Sequence, residues 1–373
     1  MRMILAGGGT GGHIYPAIAI AKGFSKIYDN ADILFIGTKD GLESKVIPLE
    51  GFTFKHIKVR GFLRELSIKN VIAVKEVLIS FFHVYKMIRE FKPDVVIGTG
   101  GYVSGSVLLT ASLMRIPTFI HEQNAYPGIT NRILSRFVDR IALTFEEASN
   151  YLKNQGQIIV TGNPLRKDIT NINCKEGKGT LGFDDKIPLL FIVGGSRGAK
   201  SINENIMLLV KECIETKSFQ ILHMTGDTQY EKVISLYKEM EIPYENKHIK
   251  VLPYVYDMPN ALAGSDLIIS RSGAGLVSEI TALGKPCILI PYPYASDNHQ
   301  EFNAKVLERN GAAIVILESD LNSRLLLFEV KRLLNNPGIM RSMSVRSKEL
   351  SKINATEEII EAIEELVRIK KAK

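Results

Sequence analysis

A two-domain α/β fold, each half a parallel sheet wound with helices, is the class predicted for this chain by three observations. Short β-branched runs alternate with longer stretches of helical period, the pattern of βαβ units. That rhythm stops near residue 162 and restarts near 189. The two halves also open alike: ILAGGGTGG (4–12) and FIVGGSRGA (191–199) both pass from an apolar strand through a GG[TS]xG turn into a helix, a pseudo-repeat of one architecture. A length of 373 residues fits two domains at roughly 150 residues each.

Taken in order, strands are predicted at 3–6, 33–36, 95–98, 118–121, 140–143 and 158–161, then at 189–193, 221–224, 267–270, 287–290 and 313–316. A helix over 68–90 carries Val71, Val74, Leu78, Phe81, Tyr85 and Ile88 as a stripe for the core, while Ile79 and Phe82 extend the apolar surface around it. Its most apolar stretch, 77–85, falls short of the ~20 residues that span a bilayer. Turn formers and mixed charges over 162–188 mark a boundary with a hinge at Asn163–Arg166, giving domains at 1–163 and 164–345. The remainder, 346–373, ends in a helix capped by Asn354 with Glu357 three residues on. Its apolar face of Ile359, Ile360, Ile363, Leu366 and Val367 needs a partner in one half or the other.

Composition narrows the function classes. With 45% apolar and 23% charged residues and no low-complexity tract, disorder and fibre are excluded. The net charge of +7 is modest and suits anionic ligands, nucleic acid or an acidic membrane surface equally. Cys174, Cys213 and Cys287 are odd in number and far apart, which argues against a disulfide framework or a thiolate metal site and for a reducing cytoplasm. Ile4, Leu5 and Ala6 before the glycine run are too few for a secretory leader.

The motifs sit at strand ends. GGGTGGH (7–13) follows a strand and precedes a helix whose first turn Pro16 is expected to open. Its glycines bring backbone N–H groups and a helix N-terminus to an anion. Gly7, Gly9 and Gly12 satisfy the dinucleotide fingerprint, but Asp32 begins the second strand instead of ending it. GTGGYVSGS (98–106) repeats the device, with Ser104 or Ser106 available as helix cap. GGSRGAKS (194–201) nearly matches an ATP-binding loop, except that Ala199 replaces the glycine before the lysine; Ser196 can still bring backbone groups to a diphosphate. In RSGAGLVSE (271–279), Glu279 lies about one turn into a helix, where a carboxylate suits a ribose diol or merely the helix dipole. PYPYASDNHQEFNA (291–304) gathers Asp297, Asn298, His299 and Gln300, polar groups suited to sugar hydroxyls or to an ordinary capped loop. In HEQN (121–124), the adjacent His121 and Glu122 point oppositely on an extended chain, so one of them has a structural role. No Asp-x-Asp pair occurs, which disfavours a metal-held nucleotide diphosphate.

Together GGGTGGHIYP, GTGGYVSG, HEQN, TGNPLR, GGSRGA, RSGAGLVSE and DNHQEFNA resemble the MurG family of N-acetylglucosaminyltransferases, block by block over nearly the whole chain. The resemblance implies the GT-B architecture: two Rossmann-like domains facing across a cleft, the first binding the acceptor and a membrane, the second the UDP-sugar. It implies inverting transfer of N-acetylglucosamine from UDP-N-acetylglucosamine to the 4-hydroxyl of the muramyl sugar of undecaprenyl-linked lipid I, forming lipid II for peptidoglycan. By motif, Arg166, Ser196, Val255, Ala274, Gly275, Leu276, Val277, Ser278 and Glu279 would hold UDP. His299 and Gln300 would read the sugar, and Thr10, Gly11, Gly12 and Asn124 would reach the donor from the other side. Gly101, Tyr102 and Ser104 would contact the acceptor. Some relatives carry two glutamines where this chain has His299 before Gln300. UDP-N-acetylglucosamine would be a substrate, with no cofactor or metal required and no nucleic acid bound, at the cytoplasmic face of the cell membrane as a peripheral protein. His13 is the candidate base and Glu122 its rival. A nicotinamide-dependent oxidoreductase would explain the first glycine loop but leave the second half unused; a non-enzymatic nucleotide-sugar sensor would leave the acceptor loops unused.

Overall fold

The computed structural model describes residues 1–59, 68–153, 157–166, 169–244 and 246–372, with the backbone alone for 68–75, 77 and 78. The chain forms two units, Met1–Leu165 with Lys352–Lys373, and Arg166–Ser351. It passes into the second unit at Arg166, not after 163, and leaves it at Lys352, not at 346.

The N-terminal unit runs β1 (Arg2–Gly7), α1 (Gly11–Ile27), β2 (Asp32–Thr38), α2 (Glu43–Leu49), β3 (Thr53–Ile57), α3 (Ile68–Phe91), β4 (Val95–Gly100), α4 (Tyr102–Leu113), β5 (Thr118–Glu122), α5 (Ile129–Leu134), β6 (Arg140–Leu143) and β7 (Ile158–Val160). Its strands pair in the order β3-β2-β1-β4-β5-β6-β7, all parallel. Such a sheet needs cover on both faces. One face packs Met3, Leu5, Ile97 and Phe119 under α1, and the other packs Ile4, Val96 and Ile120 under Val84, Ile88, Val107 and Leu108 of α3 and α4.

The C-terminal unit runs α6 (Cys174–Thr180), β8 (Leu189–Val193), α7 (Lys200–Asn205), α8 (Met207–Thr216), β9 (Gln220–Met224), α9 (Tyr230–Glu239), β10 (Ile249–Leu252), α10 (Met258–Gly264), β11 (Leu267–Ser270), α11 (Ala274–Leu283), β12 (Cys287–Leu289), α12 (His299–Arg309), β13 (Ala313–Val315), α13 (Ser323–Leu334) and α14 (Pro337–Glu349). Its parallel sheet has the order β10-β9-β8-β11-β12-β13. Helix α14 packs on α11 and α13, which is why the chain stays in this unit beyond residue 345.

The last helix, α15 (Ala355–Lys371), returns to the N-terminal unit. Ile359, Ile360, Ile363, Leu366 and Val367 join Met3, Leu5 and Phe24 in one buried cluster. Close approach to α1 is possible because residue 23 is glycine: a Cβ there would sit 2.6 Å from Thr356 Cγ2. Lys370 to Asp139 (2.7 Å) and Tyr28 Oη donating to Glu364 (2.7 Å) stitch its rim.

Some expectations are corrected. Strands β3 and β10, both at sheet edges, add to the predicted set: Thr53, Lys55 and His56 hide β3 because one side of an edge strand is wet, and β10 is a run of four residues broken by Lys250. Pro16 lies inside α1, because the helix already starts at Gly11. The N-cap of α4 is Gly101, and Asn354 stands at the start of α15 without a side-chain cap bond. Among the described side chains of α3 the buried ones are Glu76, Ser80, Val84 and Ile88, so Tyr85, at 44% exposure, belongs to the outer face. The side chains of Val71, Val74 and Leu78 lie outside the described residues.

Candidate active site at the two switch points

In each sheet the strand order reverses once, between β1 and β4 and between β8 and β11. A crevice opens beyond the carboxyl ends of strands at such a point, and ligands bind there. All four strands end in glycine-containing turns singled out in the sequence: 7–12, 100–101, 194–198 and 271–273. Helices α1, α4 and α11 begin at Thr10, Gly101 and Gly273 without a side-chain cap, as do helices elsewhere such as α5, α8 and α9, but here the uncapped start follows a glycine turn at the switch point. Helix starts without such caps leave N–H groups for an anion.

In the N-terminal unit the first two turns interlock. Gly101 has φ +84°, and a Cβ on it would strike the Gly8 carbonyl oxygen at 2.5 Å; Gly100, at φ +113°, leaves room for the imidazole of His13. Thr10 and Gly12 are exposed beside them, and Tyr102 is 53% exposed. Ser104 is a correction. It is fully buried, donates to the Ala6 or Gly100 carbonyl (2.7 and 2.8 Å) and accepts from the Gly100 N–H, so its hydroxyl ties β1 to the turn after β4 and is withdrawn from any acceptor.

His13 lies in the first turn of α1, half-buried, with Nδ1 3.0 Å from Gln123 Oε1. Glu122 is 1% exposed, and its carboxylate accepts from the Asn124 N–H (2.9 Å) and Nδ2 (3.2 Å), the Gly128 N–H (3.2 Å) and Asn131 Nδ2 (2.8 Å). A carboxylate offers about four acceptor positions. Glu122 therefore organises the loop that presents Asn124, and its placement does not fit a base. As expected for neighbours on a strand, His121 turns to a different partner, with Nε2 donating to the Gly162 carbonyl (3.0 Å).

Sequence reasoning missed Glu43. This residue is wholly buried at the start of α2 and accepts from the Gly9 N–H (3.1 Å), the Thr38 N–H (2.9 Å) and Thr38 Oγ1 (2.7 Å). Burial alone would raise its pKa, but the hydrogen bonds outweigh burial and hold it below the usual carboxylate range. It fixes the glycine loop from beneath. Glycine at 8, 37 and 41 leaves the space its side chain fills, since a Cβ at any of them would strike it, a match that only the fold reveals.

In the C-terminal unit the fourth turn is knit to α12. Ser272 Oγ donates to the Gln300 carbonyl (2.7 Å), and Asn303 Nδ2 donates to the Ser272 carbonyl (3.1 Å). This places the start of α11, residues Ala274–Glu279, beside His299 and Gln300. Gly275, Leu276 and Ser278 are part-exposed, while Val277 is buried. Gln300 Oε1 accepts from the Tyr292 N–H (3.0 Å), and His299 Nδ1 donates to the Ser296 carbonyl (2.8 Å). Asp297 and Asn298 before them both take left-handed backbone, φ +52° and +54°, a conformation costly for residues other than glycine. Ser196 is exposed in the turn after β8, and Val255 is buried in the loop after β10. Arg166 Nε meets Glu279 Oε1 at 2.9 Å, a pair within this unit. Burial pushes the Glu279 carboxyl up to about 7 against the pull of Arg166. Arg271, also missed from sequence, is buried and bonds the Ile290 and Pro291 carbonyls and Ser201 Oγ, bracing the turns around the switch point.

Known proteins correspond over the same span. Residues 3–143 match the glycosyltransferase family 28 N-terminal domain and 189–363 its C-terminal domain. A UDP-N-acetylglucosamine–N-acetylmuramyl-(pentapeptide) pyrophosphoryl-undecaprenol N-acetylglucosamine transferase of Acetivibrio thermocellus is 46% identical over 372 residues, all of both chains. One of the same name from a Thermoanaerobacter species is 48% identical over 98% of this chain and all of its own. The crystal structure of Acinetobacter baumannii MurG superposes with a TM-score of 0.78 at 31% identity, covering 98% of this chain and 99% of that one. With full-length identity of this order and both family 28 domains in sequence, the chain belongs to the MurG family of glycosyltransferases.

Proposed function

We propose that this chain transfers N-acetylglucosamine from UDP-N-acetylglucosamine to the 4-hydroxyl of the muramyl sugar of lipid I, with inversion, to form lipid II. The observation that carries the reading is its full-length correspondence to transferases of that name, with both switch points furnished for the reaction. In one in-line displacement the acceptor oxygen bonds to the anomeric carbon as that carbon's bond to the diphosphate breaks. The acceptor proton passes to a base and the electron pair leaves with UDP. His13 is the base. Glu279 accepts from the ribose, Val255 offers backbone groups to uracil, and Gln300 with His299 reads the sugar hydroxyls. Ser196, Arg166 and the start of α11 neutralise the departing diphosphate, and Thr10, Gly11, Gly12 and Asn124 of the N-terminal unit are assigned to the donor by their match to the family's motifs. Gly101 and Tyr102 remain for the acceptor.

The test is incubation with UDP-N-acetylglucosamine and a soluble lipid I analogue. Release of UDP with the disaccharide product supports the reading, and absence of both rejects it. No metal is assigned a role, so activity is expected to survive EDTA; complete loss with rescue by magnesium would overturn the leaving-group assignment.

The lipid acceptor also requires contact with a membrane surface. Among the described residues no helix is long and apolar enough to cross one. Helix α3 supports a peripheral role, because Phe82 is 79% exposed with Ile79 and Tyr85 beside it, next to the exposed Lys86. Lys69 and Lys75 have side chains outside the described residues. Each basic residue near an anionic leaflet adds about 1 kcal/mol of attraction. The chain is expected to sediment with anionic vesicles at low salt, and Ile79→Ser/Phe82→Ser to do so less while using a soluble acceptor normally. Equal sedimentation of both proteins, or none at low salt, removes α3 as the anchor.

A further inference from the structure

Beneath His13 runs a row of buried polar groups that donor binding and acceptor contact leave unused. Gln123 is 1% exposed and His121 fully buried. The contacts are His13 Nδ1 to Gln123 Oε1, Gln123 Nε2 to His121 Nδ1, and His121 Nε2 to the Gly162 carbonyl, each 3.0 Å. Gln123 Nε2 also lies 3.0 Å from the His121 carbonyl oxygen.

The proton positions follow from the fixed end of the row. A backbone carbonyl only accepts, so His121 Nε2 carries hydrogen. Burial pulls the His121 pKa down to about 4, opposed by the bond to Gly162, so the ring is neutral near pH 7 and Nδ1 is a bare acceptor. The amide of Gln123 is oriented twice over. Its nitrogen faces two acceptors, His121 Nδ1 and the His121 carbonyl, and the reversed amide would oppose oxygen to oxygen. Oε1 therefore faces His13, and because an amide oxygen only accepts, His13 Nδ1 must be the donor. A Cβ at Gly100 would lie 2.6 Å from that same nitrogen, so the Nδ1 edge of the ring is turned into the protein. His13 Nε2 has no hydrogen-bond partner among the described residues.

The geometry points to Gln123 and His121 as positioning residues that lock His13 in its Nδ1–H tautomer and so make Nε2 the proton-accepting atom. The inference rests on the reading of His13 as base and adds which atom acts and what makes it available. Nε2 takes the acceptor proton and the ring becomes imidazolium, while Nδ1–H keeps its bond to Gln123 in both states. The row carries no proton onward, since the amide only accepts at its oxygen; it presents the same geometry before and after transfer. An isolated imidazole side chain favours the other tautomer, which would leave Nε2 protonated and unable to act.

The test is ¹⁵N spectroscopy of histidine-labelled full-length protein above the titration range, with the His13 signals identified by their loss in His13→Ala. Protonated Nδ1 and bare Nε2 are expected in the unaltered protein. In Gln123→Met, which keeps length but removes the acceptor, protonation should move to Nε2 and kcat should fall roughly ten- to hundredfold, with UDP affinity within about twofold. Gln123→Glu, which restores an acceptor to Nδ1, should restore the tautomer and recover part of kcat. Bare Nδ1 in the unaltered protein overturns the inference even where His13→Ala is inactive. Protonated Nδ1 with an active His13→Ala supports the tautomer assignment and overturns the base reading instead. An unmoved tautomer in folded Gln123→Met also overturns it.

Discussion

Turnover in His13→Ala is expected to fall ~10²–10⁴-fold while UDP binding stays near that of the unaltered chain. Removing a proton acceptor raises the barrier without touching groups that hold the donor, so the loss should appear in kcat. The donor groups assigned here lie largely in the C-terminal unit, and His13 is built into the other one, which makes the separation sharp. Saturating both substrates and measuring turnover beside UDP affinity checks it. Near-normal turnover would move the base elsewhere, and Glu122 would then have to give up one of its four hydrogen bonds to serve.

Glu279→Ala is expected to weaken donor use ten- to hundredfold, because a charge-assisted hydrogen bond is worth about 1.5–3 kcal/mol. Unchanged UDP affinity in the folded variant would remove Glu279 from the donor site. Its environment adds a pH signature. The carboxyl is raised from 4.5 to about 7 by burial, with Arg166 opposing. A group raised on folding contributes stability that is fully present below its unfolded value and lost as pH rises through the folded one. Comparison with Glu279→Gln across pH 4.5 to 7 should therefore show the unaltered chain losing ground by up to about 3 kcal/mol, at 1.36 kcal/mol per unit. A stability difference flat across that window would contradict the raised carboxyl. In the same window UDP affinity should rise with pH in the unaltered chain, as the carboxylate forms, and be flat in Glu279→Gln.

Most strands legible in the sequence are the fully buried inner ones, because a parallel sheet covered by helices demands unbroken apolar runs such as Leu189–Val193. Edge strands are under less demand: Ile158–Val160 and Ala313–Val315 are still apolar enough to read, whereas Thr53–Ile57, with Lys55 and His56, is not. The turns were legible because glycine at a strand end has few other uses. What supports the turns was not. Glu43 looks like any solvated glutamate near a helix start, and only the fold reveals that its carboxylate points inward to Gly9. Gln123 lies within HEQN, but its role depends on His13, 110 residues away, and on Gly162 beyond it. Ser104 shows the reverse failure: a serine one turn past a glycine loop reads as a ligand, whereas the close approach of β1 and β4 takes its hydroxyl.

Helix α15 bears on how the chain comes to be folded during its synthesis. The face of the first sheet that holds Met3, Leu5, Ile97 and Phe119 shares its cluster with Ile359, Ile363 and Leu366. Those residues emerge from the ribosome only after the whole of Arg166–Ser351 has been made. The unit translated first must therefore wait with part of its apolar face uncovered, while the unit translated second, being continuous, can close ahead of it. The order of completion runs against the order of translation, and a nascent chain stalled before Ala355 would display greasy surface to chaperones although all seven strands of the first sheet had already been synthesised.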